Sequence, residues 1–132
     1  MKLGNQRLEV LENYLRNLQP TEHAKFDMSF WYMPRGCGFA GCALGHAENI
    51  PEFVTQGLHI VDGEVAYKDK PRALYAAEKF FELTFKEASH LFFAYGRDRR
   101  LADVSTLEVA DRIKKLRMKS KLGRWIWNML GR

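Results

Sequence analysis

Apolar residues recur at helical spacing along most of this 132-residue chain, and this period limits the folds open to it more than any other feature. Near the N-terminus, three- and four-residue spacing predicts an amphipathic helix over about 5–19, which Pro20 ends. Capping-box sequences at 84–87 and 105–108 each predict the start of a further helix. We expect the chain to be helical from Pro71 onward. The first apolar stripe consists of Leu8, Leu11, Leu15 and Leu18.

Two short regions depart from the helical period. Residues 26–34, FDMSFWYMP, are rich in aromatic side chains and predict an extended segment or short strand. Residues 58–68 alternate around the Asp62-Gly63 pair, which predicts a β-hairpin that we expect to be the only paired sheet. A chain of this length suits one domain with one core. We therefore expect a mainly α fold (α+β), a compact bundle of five or six helices with one small β-hairpin.

The positive charge of the chain is concentrated at its C-terminal end. Residues 1–111 carry 13 Lys and Arg against 16 Asp and Glu, whereas residues 112–132 carry eight basic residues and no acid. Such a block is typical of a protein with an electrostatic partner. We expect a single helical domain over 1–120 and a basic amphipathic helix over 121–132, packed on that domain or free to dock elsewhere.

The last predicted helix combines cations with an apolar stripe at positions i, i+3, i+4, i+7 and i+8. Nucleic acid would place its phosphates on the cations and could stack a base on an indole. An anionic membrane surface, a less favoured partner, would take the stripe at its interface, and an acidic protein would take it in a groove. The structural alternative is that the stripe packs on the domain's own core. The stripe consists of Leu122, Trp125, Ile126, Met129 and Leu130.

Seven residues of this basic region are the candidate binding residues. Six are cations that precede or interleave with the apolar stripe, and the seventh is a tryptophan that the stripe does not include. They are Lys114, Lys115, Arg117, Lys119, Lys121, Arg124 and Trp127.

A second notable segment is GCGFAGCALGHA, residues 36–47. Its period predicts a helix over about 39–47, on which Gly38, Gly41, Cys42 and Gly45 would share one face. Glycines cost helix stability, so we expect a neighbouring backbone to approach this face closely. Cys42 would then be a small buried hydrophobic residue.

Three chemical alternatives stay open for the same segment. Cys37, Cys42 and His46 could hold a metal ion, although their C-x4-C-x3-H spacing lies outside the usual zinc pattern. Cys37, placed before a helix N-terminus, could be a nucleophilic thiol that works with His90, although a lone His among apolar neighbours is more often packing. The amides of residues 36–38 could instead hold an anion. We favour no catalytic or metal role, incline to a non-enzymatic protein, and expect no cofactor.

The motifs FDMSFW, CGFAGCALGHA, P-x-F-x-x-x-G-L and AAEKFFELT-x-x-EA-x-x-LF occur in this order over residues 26–94. Together with residues 105–113, they resemble a group of small uncharacterised phage and bacterial proteins with a Cys-Gly-x-x-x-Cys-x-x-Gly-[His/Trp]-Ala core. The resemblance implies no established activity. It implies a phage or prophage context and that the core motif residues belong together. Those residues are Cys37, Gly38, Cys42, Gly45 and His46.

The sequence also favours a cytoplasmic location. It has no apolar run long enough to span a bilayer, no signal-like N-terminal stretch and too few cysteines for a disulfide framework. We therefore expect a small non-enzymatic accessory protein of a phage or mobile element. It would bind a macromolecular partner through its basic C-terminal region, with nucleic acid as the first candidate and an inhibited host protein as the second. The alternative from another class is a cysteine-dependent hydrolase.

Overall fold

The computed structural model describes residues 3–19, 24–29, 31, 33–35, 38–69, 72–93 and 100–130. These residues form seven α-helices, five short strands and one 3-10 turn at Leu101–Asp103. In chain order the elements are α1 (Leu3–Asn17), β1 (Ala24–Phe26), β2 (Met33–Arg35), β3 (Gly38–Gly41), α2 (Ala43–Ala47), α3 (Pro51–Thr55), β4 (Leu58–Val61), β5 (Glu64–Tyr67), α4 (Ala73–Phe80), α5 (Phe85–Phe92), α6 (Thr106–Arg117) and α7 (Lys121–Leu130).

The expected mainly α architecture with an antiparallel hairpin is confirmed. Strands β4 and β5 pair antiparallel, with Val61 opposite Glu64. The two residues between them, Asp62 and Gly63, both have positive φ values of 52° and 78°. A two-residue hairpin turn of this kind needs positive φ at both positions, which is why Asp-Gly predicts it.

A second sheet corrects two expectations. The hairpin is not the only paired sheet, because β3 lies between β1, to which it is parallel, and β2, to which it is antiparallel. The predicted helix over 39–47 is wrong in its first half, since Gly38–Gly41 is strand β3 and α2 begins only at Ala43. The glycine face of that helix therefore does not exist. Glycines are poor helix formers, and in the sheet this backbone has hydrogen-bonding partners on both sides.

The two predicted capping sequences mark the starts of α5 and α6. The Thr84 hydroxyl accepts a hydrogen bond from the Glu87 amide at 3.1 Å, and the Glu87 carboxylate accepts one from the Thr84 amide at 2.9 Å, which is a complete capping box. The Ser105 hydroxyl accepts from the Glu108 amide in the same way. The Ser120 hydroxyl accepts from the Gly123 amide at 3.0 Å, just before α7.

The core lies between α1, α6 and the aromatic residues of the central segments. The most extensive helix packing joins α1 and α6. The first three leucines of the predicted stripe are buried on α1, and Leu18, just after the end of α1, is half-buried. On α6 the inward residues are Val109, Ile113 and Leu116, as their spacing predicts. Phe53, Phe80 and Phe81 form an aromatic cluster with ring centroids 4.8–5.8 Å apart.

Among the described helices, none combines the length and the apolar character that crossing a membrane requires.

Candidate functional site

The C-terminal helix α7 contacts the body of the protein through its polar side. The Arg124 guanidinium binds the Glu87 carboxylate through two hydrogen bonds of 2.9 Å, one to each oxygen. The Asn128 amide donates a third hydrogen bond to Glu87 at 3.0 Å. The Glu87 side chain is only 3% exposed, so this cluster of Glu87, Arg124 and Asn128 is a nearly buried ion pair. We call it the Glu87 cluster.

Further polar contacts hold the far end of α7 on α5. The Thr84 hydroxyl donates to the Asn128 side-chain oxygen at 2.7 Å, and the Lys86 ammonium donates to the Asn128 backbone carbonyl at 2.8 Å. On α1, the Asn5 side chain accepts a hydrogen bond from Arg124 at 3.1 Å. The helix is thus attached to the start of α5 and to α1 by polar side chains.

The electrostatics of the Glu87 cluster follow from its geometry. Burial acts to raise the pKa of Glu87, but hydrogen bonds from Arg124, the Thr84 amide and Asn128 outweigh it, and the pKa falls below its ordinary value. The carboxylate is therefore charged at neutral pH. It compensates the charge of Arg124 inside the structure.

The apolar stripe of α7 faces away from the body. Its five members are between 42% and 74% exposed, and α7 has no buried residue. The alternative in which the stripe packs on the domain's own core is wrong. The helix does pack on the body, but by its opposite side.

The seven candidate binding residues fall into three groups in the structure. Arg117 lies 2.7 Å from the Glu12 carboxylate and Arg124 lies on Glu87, so carboxylates of the body compensate both charges. Lys114, Lys115, Lys119 and Lys121 are exposed, and no ion pair in the described part of the chain includes them. Trp127 is half-buried.

A cleft lies between α5, α6 and α7. It has a volume of about 260 Å³, and the described residues of its walls are three cations, an imidazole, an indole and a leucine, with no carboxylate among them. The Trp127 ring meets the His90 ring edge-on, with their centroids 5.1 Å apart. The Arg112 guanidinium donates to the His90 carbonyl at 2.8 Å, which fixes it in the wall. We call this the cationic cleft, lined by His90, Arg112, Lys115, Leu116, Lys119 and Trp127.

The pKa of His90 depends on its burial and on the positive charges in the cationic cleft. Burial and then the positive charges of Arg112 and Lys119 lower its pKa to about 4, so the ring is neutral at pH 7. A group with so low a pKa is a weak general base at neutral pH. The expected thiol alternative paired His90 with Cys37, which lies outside the described residues.

Three other residues of the cysteine motif, Cys42, Gly45 and His46, are buried. Cys42 directly precedes α2 and is fully buried, as expected for a small hydrophobic residue, and burial raises the pKa of its thiol to about 11. His46 is fully buried beside the Phe26 ring, with their centroids 5.7 Å apart. Gly45 is buried on α2, and Gly38 is on β3. Within the described ranges, no three His, Cys, Asp or Glu side chains are grouped as metal ligands.

We expect Cys42 to resist alkylation in the native protein at neutral pH. A buried thiol with a raised pKa offers almost no thiolate to an electrophile. Iodoacetamide labelling followed by peptide mass spectrometry would show Cys42 unmodified in buffer and modified in denaturant. Labelling of Cys42 at equal rates in both conditions would contradict its burial.

The sequence does not single out two residues of this region. Arg112 belongs to the basic block, and its position one turn before Leu116, at helical spacing from Lys115 and Lys119, is the signal that could identify it. Glu87 has the sequence signature of a helix cap, but its pairing with Arg124 joins residues 37 positions apart. A helical period carries no signal for such a distant pairing.

Comparisons of this chain with protein-family models, with curated proteins and with solved structures find no match. On the described surface, the cationic cleft and the exposed apolar stripe of α7 are the features from which a function can be argued.

Proposed function

We propose that this protein binds nucleic acid through the cationic cleft and the exposed lysines beside it. The observation that carries the proposal is the composition of the cleft, whose described walls combine three cations with an indole and contain no carboxylate. Cations bind phosphates, and an aromatic ring supplies a face or an edge for a base. A nucleotide unit has both a phosphate and a base, and the cations and the aromatic ring that would bind them lie within one cleft.

The dimensions of the cleft favour single-stranded over double-stranded nucleic acid. At about 260 Å³, the cleft is too small to enclose a helical duplex. Single strands can turn individual bases outward, towards an aromatic side chain of the protein. Trp127 is half-buried against His90, so we expect one base contact and a larger contribution from phosphates.

The lysines extend the positive surface beyond the cleft. Lys114 is next to Lys115 on α6, and Lys121 begins α7 two residues after Lys119. All four side chains are exposed, and none takes part in an ion pair within the described ranges. A strand with one nucleotide in the cleft would place its neighbouring phosphates near these charges.

We expect the double variant Lys115→Gln/Lys119→Gln to bind a single-stranded oligonucleotide about tenfold more weakly than the wild type. Each lost phosphate contact removes about 0.7 from the slope of log affinity against log salt, so the slope should become shallower by about 1.4. Fluorescence anisotropy with a labelled oligothymidylate over a salt series measures both quantities.

The matched control is Lys68→Gln/Lys79→Gln, which removes the same charge from exposed lysines elsewhere. It should leave the affinity within about twofold. A bound phosphate should also raise the pKa of His90 from its low value, which an NMR titration of the imidazole follows. An affinity that does not change with salt concentration, or an equal loss of affinity in both double variants, would exclude the cleft as the binding site.

The cellular setting in this proposal comes from the sequence alone. We propose a non-enzymatic accessory protein of a phage or mobile element that acts in the cytoplasm. The phage setting depends on the resemblance of the cysteine motif and the following helices.

A further inference from the structure

The apolar stripe of α7 is a continuous exposed surface that the nucleic-acid proposal does not use. Its members are Leu122, Trp125, Ile126, Met129 and Leu130, the least exposed of them at 42%. Single exposed apolar residues are ordinary, but five neighbours on one helix face mark a surface that another apolar phase covers. Nucleic acid has no apolar interior in which these aliphatic side chains could be buried.

The Glu87 cluster holds the stripe outward. If α7 rolled about its axis to bury the stripe, Arg124 and Asn128 would leave Glu87, whose carboxylate is almost fully buried. A buried carboxylate that has lost its cationic partner is strongly destabilising, because no solvent replaces the lost hydrogen bonds. The outward orientation is therefore a property of the fold.

The charges beside the stripe decide which partner fits it. Lys121 lies one turn before Trp125, at the edge of the stripe, and Lys119 lies just before the helix. The sequence has no acidic residue after Asp111. A second copy of this chain would bring like charges together across the stripe, which opposes association. An anionic surface with an apolar interior is complementary to both the lysines and the stripe.

We propose that α7 docks on the surface of a membrane that contains anionic lipids. The helix lies in the plane of the interface, with the stripe among the upper acyl chains and the body on the water side. A ten-residue helix is only about 15 Å long, so it lies on the bilayer and does not cross it. The indole of Trp125 sits at the level of the headgroups, and the lysines contact lipid phosphates.

The test compares the full chain on two kinds of vesicle, phosphatidylcholine alone and phosphatidylcholine with about 30% phosphatidylglycerol. We expect the protein to sediment with the anionic vesicles at least about tenfold more strongly. Leu122→Gln/Met129→Gln should lose about tenfold of this binding, because both side chains leave the acyl region. Tryptophan emission should shift to the blue on binding, and Trp125→Phe should remove most of the shift.

The matched control is Val54→Gln/Leu107→Gln, which removes two comparably exposed apolar side chains from α3 and α6. It should bind anionic vesicles within about twofold of the wild type. Three results would each overturn the proposal: no preference for anionic vesicles, unchanged binding by the stripe variant, or a stripe-dependent dimer in light scattering. The stripe variant should keep its affinity for oligonucleotides, so this test stands apart from that of the cationic cleft.

Discussion

Replacing Glu87 by alanine is expected to lower the free energy of unfolding by about 3–4 kcal/mol and to release α7 from the body. The substitution removes the capping box of α5, and it leaves Arg124 and Asn128 without the carboxylate that both contact. Urea denaturation measures the loss of stability. Limited proteolysis should show faster cleavage at Lys119 and Lys121, just before and at the start of α7.

Glu87→Gln and Glu52→Ala provide the controls for this substitution. Glutamine can still accept the hydrogen bond from the Thr84 amide but carries no charge, so its smaller effect isolates the ion pair. Glu52 is an exposed glutamate in the first turn of α3, and its removal should cost less than about 0.5 kcal/mol. A Glu87→Ala protein as stable as Glu52→Ala would contradict the role of the Glu87 cluster.

Acid should weaken the wild-type protein in two stages. The pKa of His90 in the folded protein is about 4, below the ordinary value of 6.5. As the pH falls from 6.5 to 4, the imidazole therefore takes up a proton only in the unfolded chain. The free energy of unfolding declines over this range. The pKa of Glu87 is lowered from 4.5, so its stabilising effect is complete above 4.5 and is lost as the pH falls through the folded value. Urea denaturation at several pH values should show that Glu87→Ala is less stable than the wild type at pH 7. This difference in unfolding free energy should disappear in strong acid.

Replacing Phe80 by alanine is expected to cost about 3–5 kcal/mol of unfolding free energy, the range found for buried aromatic residues. The Phe80 ring is fully buried and meets Phe53, Tyr67 and Phe81 edge-on, with centroid distances of 4.8–5.1 Å. The Arg7 guanidinium lies 4.0 Å from its centroid on another side. Truncation would leave a cavity and remove a cation–π contact at once.

The control for Phe80→Ala is Phe85→Ala, which removes an exposed phenylalanine from α5. It should change the unfolding free energy by less than about 0.5 kcal/mol in urea denaturation. If Phe80→Ala does not fold, Phe80→Leu keeps most of the volume and should retain the fold with a smaller loss. Equal stability of the Phe80→Ala and Phe85→Ala proteins would show that the aromatic cluster is not central to the core.

Secondary-structure elements could be predicted where a few consecutive residues determine the local conformation. The Asp62-Gly63 turn needs only two residues with positive φ, and the Thr84–Glu87 box needs only four consecutive residues. The segment 38–41 failed because its strand depends on partners at 24–26 and 33–35, which its own period does not reveal. The helical spacing of the glycines was overridden, because the neighbouring strands supply hydrogen-bonding partners to this backbone on both sides.

For the candidate site, the sequence indicated which kinds of residue are present but not how they are arranged. The sequence located the positive charge after residue 111 and identified Lys115, Lys119 and Trp127, which the fold brings into one cleft with His90 and Arg112. It did not distinguish the exposed lysines from Arg117, which the Glu12 carboxylate compensates. Trp127, chosen because it lies off the stripe, packs against His90, whereas the stripe residue Trp125 is 60% exposed.

By itself, the sequence determined that the chain is mainly helical, where its hairpin turns, and that its C-terminal helix has one apolar and one polar side. The tertiary structure alone decided which of those sides faces the body. The helical period defines both sides of α7 but says nothing about the neighbour they meet. Glu87, buried at the start of α5, requires a cationic partner, and Arg124 and Asn128 satisfy it only when the apolar stripe points away.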